Sequence, residues 1–118
     1  FLCTLNWYGF LDKGIFDDPG DHAGEMETSL MQHCAPDLML PLSEAGDGAE
    51  RKFRIPALRD GLVWSQRDWV SATADTGVGD PAAATAEKGR RCLEQVSGRI
   101  ADFFVDLAEA DLDDLYEV

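Results

Sequence analysis

The stretch Asp21-His22-Ala23-Gly24-Glu25-Met26-Glu27-Thr28-Ser29 carries a histidine, three carboxylates and two hydroxyls within nine residues. Apolar side chains follow it at helical spacing as far as Cys34. Pro36 comes two residues later, and the residue before a proline is disfavoured in a helix. The pattern therefore predicts that a helix begins within this stretch and stops before Pro36.

The two glutamates of the stretch are expected to point in different directions. At about 100° per residue, the apolar side chains of the helix form one stripe, which comprises Met26, Leu30, Met31 and Cys34. Glu27 falls inside this stripe, and Glu25 points almost the opposite way. Because a carboxylate that faces a core is costly without a partner, Glu27 is predicted to be functional and Glu25 to be exposed to solvent.

The charge of the chain excludes several classes of partner. Its 118 residues include 23 acidic and 10 basic side chains, for a net charge of −13. Binding to nucleic acid or to an anionic membrane surface requires a cationic face, so neither partner is expected. No apolar run approaches the roughly 20 residues that are needed to span a bilayer, so a membrane protein is not expected either.

The cysteines bear on the cellular location of the protein, and the first residues bear on where the chain starts. Cys3, Cys34 and Cys92 are odd in number and far apart, which favours reduced thiols and a cytoplasmic location. The chain opens on Phe1-Leu2-Cys3, without an initiator Met or a charged leader. We therefore expect that it starts inside a longer protein, directly on a strand.

Strands and a long helix are predicted on either side of the histidine stretch. Residues 1–10 lack charge and suit a buried strand, while residues 52–55 and 62–64 suit short strands. A long helix is predicted from Asp80 as N-cap, with Pro81 in its first position. Its apolar face is predicted to comprise Leu93, Val96, Ile100, Phe103 and Leu107.

Asp21, His22 and Glu27 form the leading candidate site. A histidine titrates near neutrality and can transfer protons, and Asp21 could cap the helix or orient the imidazole. The alternative is a capped helix with a surface histidine and one glutamate that falls unfavourably in the apolar stripe. The residues alone favour neither interpretation. His33 is eleven residues from His22, about 16 Å along a helix, so the two cannot share a metal ion.

Two further features have structural readings that are favoured over functional ones. Residues 76–81 form a glycine-rich turn that lacks the Gly-Lys-Ser/Thr ending of a phosphate loop, so a tight turn is predicted. Trp64 and Trp69 could stack on a substrate ring, although packing in a core or an interface is favoured.

Two ordered motifs resemble those of a known family. The segment 20–29 resembles the His-Ala/Gly-Gly-x-x-Glu-Thr-Ser signature of the creatininase (creatinine amidohydrolase) family. Gly77-Val78-Gly79-Asp80-Pro81, with residues 84–89 after it, resembles the glycine turn and following helix of that family. Asn6-Trp7-Tyr8 resembles the strand that precedes the histidine motif.

The resemblance implies a fold and an activity. The fold is α/β, a three-layer α/β/α arrangement with a mostly parallel sheet. The activity is metal-dependent hydrolysis of a C–N bond in a non-peptide or cyclic amide, in which a metal-bound hydroxide attacks the carbonyl. By the motif match, His22 acts in proton transfer, Asp21 is the acidic residue before it, and Glu27 is a metal ligand or an outer-shell partner.

The resemblance also implies that this chain is only part of a site. The family's Glu-x-His pair, bridging Asp and Asn-Gly-His-Gly-Gly-Asn turn do not occur here. Residues 1–118 are thus expected to be the C-terminal part of one domain, with a loose acidic tail over 111–118. Two divalent metals (zinc, manganese or iron) would be held mostly by residues absent from this chain. The expected partners are a small-molecule amide, the missing N-terminal half and further copies in a homo-oligomer.

Two alternatives to an active enzyme remain open. The chain could be catalytically incomplete and serve as a structural or subunit-contact half, so the isolated fragment is expected to be inactive. It could also be an acidic interaction module in which the histidine motif is only a helix cap.

Overall fold

The computed structural model describes residues 1–116, apart from the side chain of Lys13, and is helical over this range. Its α-helices are α1 (Glu25–Cys34), α2 (Pro56–Arg59), α3 (Trp69–Ala72) and α4 (Ala86–Glu109). Short 3₁₀ helices cover Trp7–Phe10, Lys13–Ile15, Pro36–Leu38 and Leu42–Glu44. The sequence correctly placed the end of α1 at Cys34 and predicted a long helix in the C-terminal part.

The core lies where α1 crosses α4. It comprises Ile15, Phe16, Met26, Cys92 and Val96. The two helices approach so closely at Gly89 that a Cβ atom on this residue would overlap the carbonyl oxygen of Ser29. Burial raises the pKa of the Cys92 thiol, which is fully enclosed. On α4 the predicted apolar face is confirmed except at one position: Val96 is buried, and Ile100, Phe103 and Leu107 are half-buried. Leu93 is 41% exposed, and Cys92 is buried instead.

The start of α4 differs from the prediction. Thr85 is the N-cap, and its hydroxyl accepts a hydrogen bond of 3.2 Å from the Lys88 N–H. Asp80 instead accepts a hydrogen bond of 2.8 Å from the Ala82 N–H in the turn before the helix. The prediction of Asp80 as N-cap was therefore wrong, because a second residue with capping chemistry follows five positions later.

The glycine-rich segment 76–81 packs against two other glycine segments, residues 20–24 and 46–48. The Gly79 N–H donates a hydrogen bond of 3.0 Å to the Gly48 carbonyl, and Gly79 has a φ of +110°. A Cβ on Gly48 would overlap the Gly79 backbone, so both positions require glycine. The segment bends at Thr76 and Gly79 and holds residues 46–48 beside the start of α1.

The predicted sheet is not confirmed by residues 1–116. Their β pairing is limited to one antiparallel bridge between His22 and Val78. Residues 1–6 are exposed and 7–10 form a 3₁₀ helix, while 52–55 and 62–64 are not strands. A strand needs a neighbour to pair with its backbone, and apolar composition alone does not supply one.

Much apolar surface of the described residues remains exposed. The radius of gyration is 18.1 Å, compared with about 13–14 Å for a compact domain of this length. Leu2, Trp64 and Val70 are each at least 85% exposed. Residues 111–116 of the acidic tail are also exposed, and the last two residues of the predicted tail lie outside the described range. In residues 1–116, no helix is long and apolar enough to cross a membrane.

Candidate active site

The backbone of His22 is fixed between the glycine turn and the first turn of α1. The His22 N–H donates to the Val78 carbonyl at 3.0 Å, and the Val78 N–H donates to the His22 carbonyl at 2.8 Å. Ala23 follows in the left-handed region, with a φ of 52°. The imidazole itself is about half exposed. This arrangement holds the Cα of His22 in place and leaves its ring accessible.

Glu27 faces this ring from the first turn of α1. Its Oε2 accepts a hydrogen bond of 2.7 Å from the Ala23 N–H and lies 3.6 Å from Nδ1 of His22. Neither Oε1 of Glu27 nor Nε2 of His22 has a hydrogen-bond partner within residues 1–116. The structure therefore brings together two of the predicted site residues and leaves one reactive atom of each free to contact a ligand.

The prediction for Glu25 was wrong. Its side chain is 1% exposed, whereas that of Glu27 is 34% exposed. Oε2 of Glu25 accepts hydrogen bonds of 2.9 Å from the N–H groups of both Asp17 and Asp18, and Oε1 binds the Lys88 ammonium. The helical wheel failed because the buried face of α1 is rotated away from the apolar stripe: Met26 of the stripe is buried, but Met31 and Cys34 are exposed. The buried residues of α1 are Glu25, Met26, Thr28 and Ser29.

Lys88 completes this buried group, which we call the Glu25–Lys88 centre (Glu25, Lys88 and the backbone of Asp17 and Asp18). Its ammonium donates to Asp17 at 3.2 Å and to the Ala83 carbonyl at 3.0 Å. The hydrogen bond to Glu25, followed by the one to Asp17, raises the pKa of Lys88. The glutamate that was predicted to be solvent decoration is thus a satisfied anchor between α1 and α4.

Asp21 lies at the end of a second group of charges. Its carboxylate pairs with the Arg67 guanidinium, which also donates to Glu50 at 2.8 Å. The hydrogen bond to Glu50 is the main cause that raises the pKa of Arg67, and Asp21 adds to it. Asp21 does not cap α1, because Gly24 is the N-cap and no side chain caps the helix there.

An aromatic ring connects this group to the histidine. The Arg67 guanidinium lies over the Trp69 ring at 4.4 Å from its centroid. The same ring lies 5.3 Å from the imidazole of His22, tilted by 57°. We call the whole set the His22–Arg67 centre; it comprises Asp21, His22, Glu27, Glu50, Arg67 and Trp69.

Two of the six members of this centre, Glu50 and Arg67, were missed by sequence reasoning. Arg67 and Glu50 are separated from the histidine motif by tens of residues, and no local pattern places them beside it. A usable signal was the scarcity of cations, since only 10 Lys and Arg residues balance 23 carboxylates. In a chain with so few cations, an Arg two residues before a Trp is a candidate to pair with a carboxylate and to lie over the Trp ring.

The described residues do not form a metal site by themselves. No group of three or more His, Cys, Asp or Glu side chains within residues 1–116 is arranged to hold a metal ion. His33 is exposed near the end of α1. Glu27 and His22 could contribute to a metal-containing site only together with further ligands.

Relatives of this chain are hydrolases by name. A mycofactocin precursor peptide peptidase from Mycobacterium tuberculosis is 40% identical over 72 residues, which is 59% of this chain and 26% of the relative. The peptidase of the same name from Mycolicibacterium smegmatis is 33% identical over 72% of this chain and 32% of its own length. The chain therefore spans about a quarter to a third of these curated relatives.

A solved structure has the same fold. The crystal structure of a protein described as a creatinine amidohydrolase from Bacteroides fragilis matches with a TM-score of 0.81 and 43% identity. The match covers 96% of this chain and 44% of that one. The family model for creatininase, creatinine amidohydrolase, matches residues 8–104. The chain belongs to the creatininase family and has a creatininase-like fold, as the two sequence motifs indicated.

Proposed function

We propose that this chain is the C-terminal part of an amidohydrolase that cleaves an amide C–N bond, with His22 in proton transfer. The observation that carries the proposal is the pairing of a half-exposed imidazole with the Glu27 carboxylate, 3.6 Å from Nδ1, on the family's own motif. Hydrolysis of an amide needs a proton taken from water and a proton given to the leaving nitrogen. An imidazole can do both near neutral pH.

Each neighbour of His22 has a proposed task in this step. Glu27 faces Nδ1, so Nε2 is directed to the reacting groups. Trp69 limits the movement of the ring from one side. Asp21 acts indirectly, because it holds the Arg67 guanidinium that lies over Trp69.

Metal dependence is part of the proposal and rests on the family alone. Two divalent ions, zinc, manganese or iron, would activate water and polarise the carbonyl. Since residues 1–116 lack a ligand set, the ions would be held mostly by the remainder of the domain. Glu27 is the residue of this chain that we propose as a ligand or outer-shell partner, through its free Oε1.

Two substrate classes follow from the relatives. A non-peptide or cyclic amide is the first candidate, because the solved neighbour is described as a creatinine amidohydrolase. A peptide bond is the second candidate, because the relatives at 40% identity are named as peptide peptidases.

The setting of the enzyme is proposed from two observations. The three cysteines are free, as in a reducing compartment, which supports a cytoplasmic location. Large exposed apolar side chains support contact with the rest of the domain and with further copies in a homo-oligomer. By itself, the piece of 118 residues would serve only as a structural or subunit-contact half.

The test uses the longest natural chain that contains these residues, together with creatinine, other cyclic amides and short peptides. Release of amine is measured for the wild type, for His22→Asn and for the matched control His33→Asn on the exposed part of α1. We expect His22→Asn to lose about 10²–10⁴-fold in kcat while keeping its metal content, and His33→Asn to be unchanged. Full turnover by His22→Asn, or no hydrolysis of any amide by the wild type, would contradict the proposal.

A further inference from the structure

A cavity next to the His22–Arg67 centre collects positive charge. It has a volume of about 540 Å³ and is lined by parts of residues 50–53, 58–68 and 71–72. Its charged lining comprises Arg51, Lys52, Arg59, Arg67, Glu50 and Asp68. Four of the chain's 10 basic side chains thus meet here, in a molecule that carries 23 carboxylates. The lining of the cavity is therefore net positive, whereas the whole chain is net negative.

The two carboxylates of the lining are already engaged. Glu50 accepts a hydrogen bond of 2.8 Å from Arg67, and Asp68 accepts one of 2.6 Å from the Ser71 hydroxyl. The side chains of Arg51 and Lys52, by contrast, make no ion pair or hydrogen bond within residues 1–116. Two cationic groups therefore remain available to a ligand that enters the cavity.

The remaining wall of the cavity suits a planar or apolar group. Phe53, Val63 and Trp64 contribute to it, and the Trp64 side chain is 85% exposed. Aromatic rings stack on planar groups and on each other at modest energetic gain. A ligand that carries an anionic group beside a planar group would be matched on both sides.

The cavity is continuous with the candidate active site through shared residues. Arg67 and Glu50 line it, and the same Arg67 pairs with Asp21 and lies over Trp69 beside His22. A molecule bound against Arg67 from the cavity would thus extend towards the imidazole. This is the position that a recognition group of an amide substrate would need.

We infer that this cavity binds an oxyanion, a carboxylate or a phosphate, attached to a planar or aromatic group. Resting on the proposed function, this inference assigns the oxyanion to the substrate, with Arg51 and Lys52 as specificity residues that do not touch the reacting atoms. The substrate is then an anionic amide. A neutral amide lacks the group that these two cations recognise.

The inference is tested by direct binding, without turnover. N-acetylphenylalanine, phenyl phosphate and the neutral N-acetylphenylalanine amide are titrated calorimetrically into the longest natural chain that contains these residues. At least one of the two anions is expected to bind about tenfold or more tightly than the neutral amide. Preference for N-acetylphenylalanine identifies a carboxylate, and preference for phenyl phosphate identifies a phosphate.

Variants locate the binding within the cavity. Arg51→Met and Lys52→Met, both exposed and therefore expected to fold, should each weaken the preferred anion about tenfold. The matched control is Arg54→Met, an exposed cation that does not line the cavity and should leave the affinity unchanged. Equal affinity for the neutral amide, no anion binding, or an equal loss in Arg54→Met would overturn the inference.

The outcome is separable from that of the proposed function. Anion binding that depends on Arg51 and Lys52, without hydrolysis of any amide, would contradict the proposed function and keep the binding site. Hydrolysis of amides with no preference for anions would keep the proposed function and contradict the assignment of the cavity.

Discussion

The Glu25–Lys88 centre and the His22–Arg67 centre start from the same short stretch and differ in how completely their charges are satisfied. In the first, the Glu25 carboxylate is 1% exposed and receives three donors. In the second, the His22 side chain is 49% exposed and the Glu27 side chain 34% exposed. The first centre is closed by α4, and the second is open towards the cavity.

This difference separates a structural role from a chemical one. A buried carboxylate is tolerated only when its partners are in place, so the bonding capacity of Glu25 goes to holding α1 against α4 and against the loop at Asp17 and Asp18. An open group with a free acceptor atom can still engage a substrate. Burial alone would have pointed to Glu25 as the functional glutamate, whereas the free atoms of Glu27 and His22 point to the other centre.

The largest expected effect on stability comes from replacing each of the two glutamates of α1 separately by glutamine. Glu25→Gln removes the charge that Lys88 neutralises in the interior, so we expect a loss of about 3 kcal/mol in the free energy of unfolding. Glu27→Gln keeps an oxygen that can accept from the Ala23 N–H, so its loss should be well below about 1 kcal/mol. Both values are measured by denaturant unfolding of the longest natural chain.

In activity, the two variants are expected to rank in the opposite order from stability. Glu27→Gln should lower kcat by about 10–100-fold, as expected for a group that supports an active-site residue. Glu25→Gln should retain its kcat wherever it is folded. A larger stability loss in Glu27→Gln than in Glu25→Gln would reverse the roles given to the two centres.

A smaller effect on stability is expected from adding a methyl group where α1 and α4 are in contact. Gly89→Ala places a methyl group on the Ser29 carbonyl oxygen, so α4 must move away from α1. We expect a loss of about 1–3 kcal/mol, detected as a lower unfolding midpoint.

The control for this substitution lies on the same helix. A Cβ on Gly98 would meet no atom within 4 Å, so Gly98→Ala should gain up to about 1 kcal/mol from helix propensity. Equal effects at the two glycines would mean that the close crossing at Gly89 is not required.

The smallest effect is a dependence of stability on alkaline pH. Because Glu25 raises the pKa of Lys88, the folded state holds this proton more tightly than the unfolded chain does. The stabilisation is complete below the unfolded pKa, about 10.4, and is lost as the pH rises through the folded pKa. Thermal unfolding between about pH 8 and pH 11 should show this loss in the wild type and a flatter profile in Lys88→Met. Identical profiles would contradict the coupling.

The sequence allowed only part of this arrangement to be predicted. Helix α1 and its end at Cys34, the C-terminal helix and the choice of His22 and Glu27 as candidate site residues follow from local spacing and from the family motif. Glu25 was misjudged because the wheel weighs apolar side chains, and the buried face of α1 is rotated away from the apolar stripe. The contacts of Arg67 with Asp21 and Glu50 depend on long-range folding that local patterns do not encode.

The most direct test of the central claim, that Glu27 acts through His22, is a double-mutant cycle in kcat/KM. It compares the wild type, Glu27→Gln, His22→Asn and the double variant in the longest natural chain, under conditions where all four are folded. We predict that Glu27→Gln costs about 10–100-fold in the wild-type background and little in the His22→Asn background. Losses that multiply in the double variant would show that the two residues act independently and would contradict the claim.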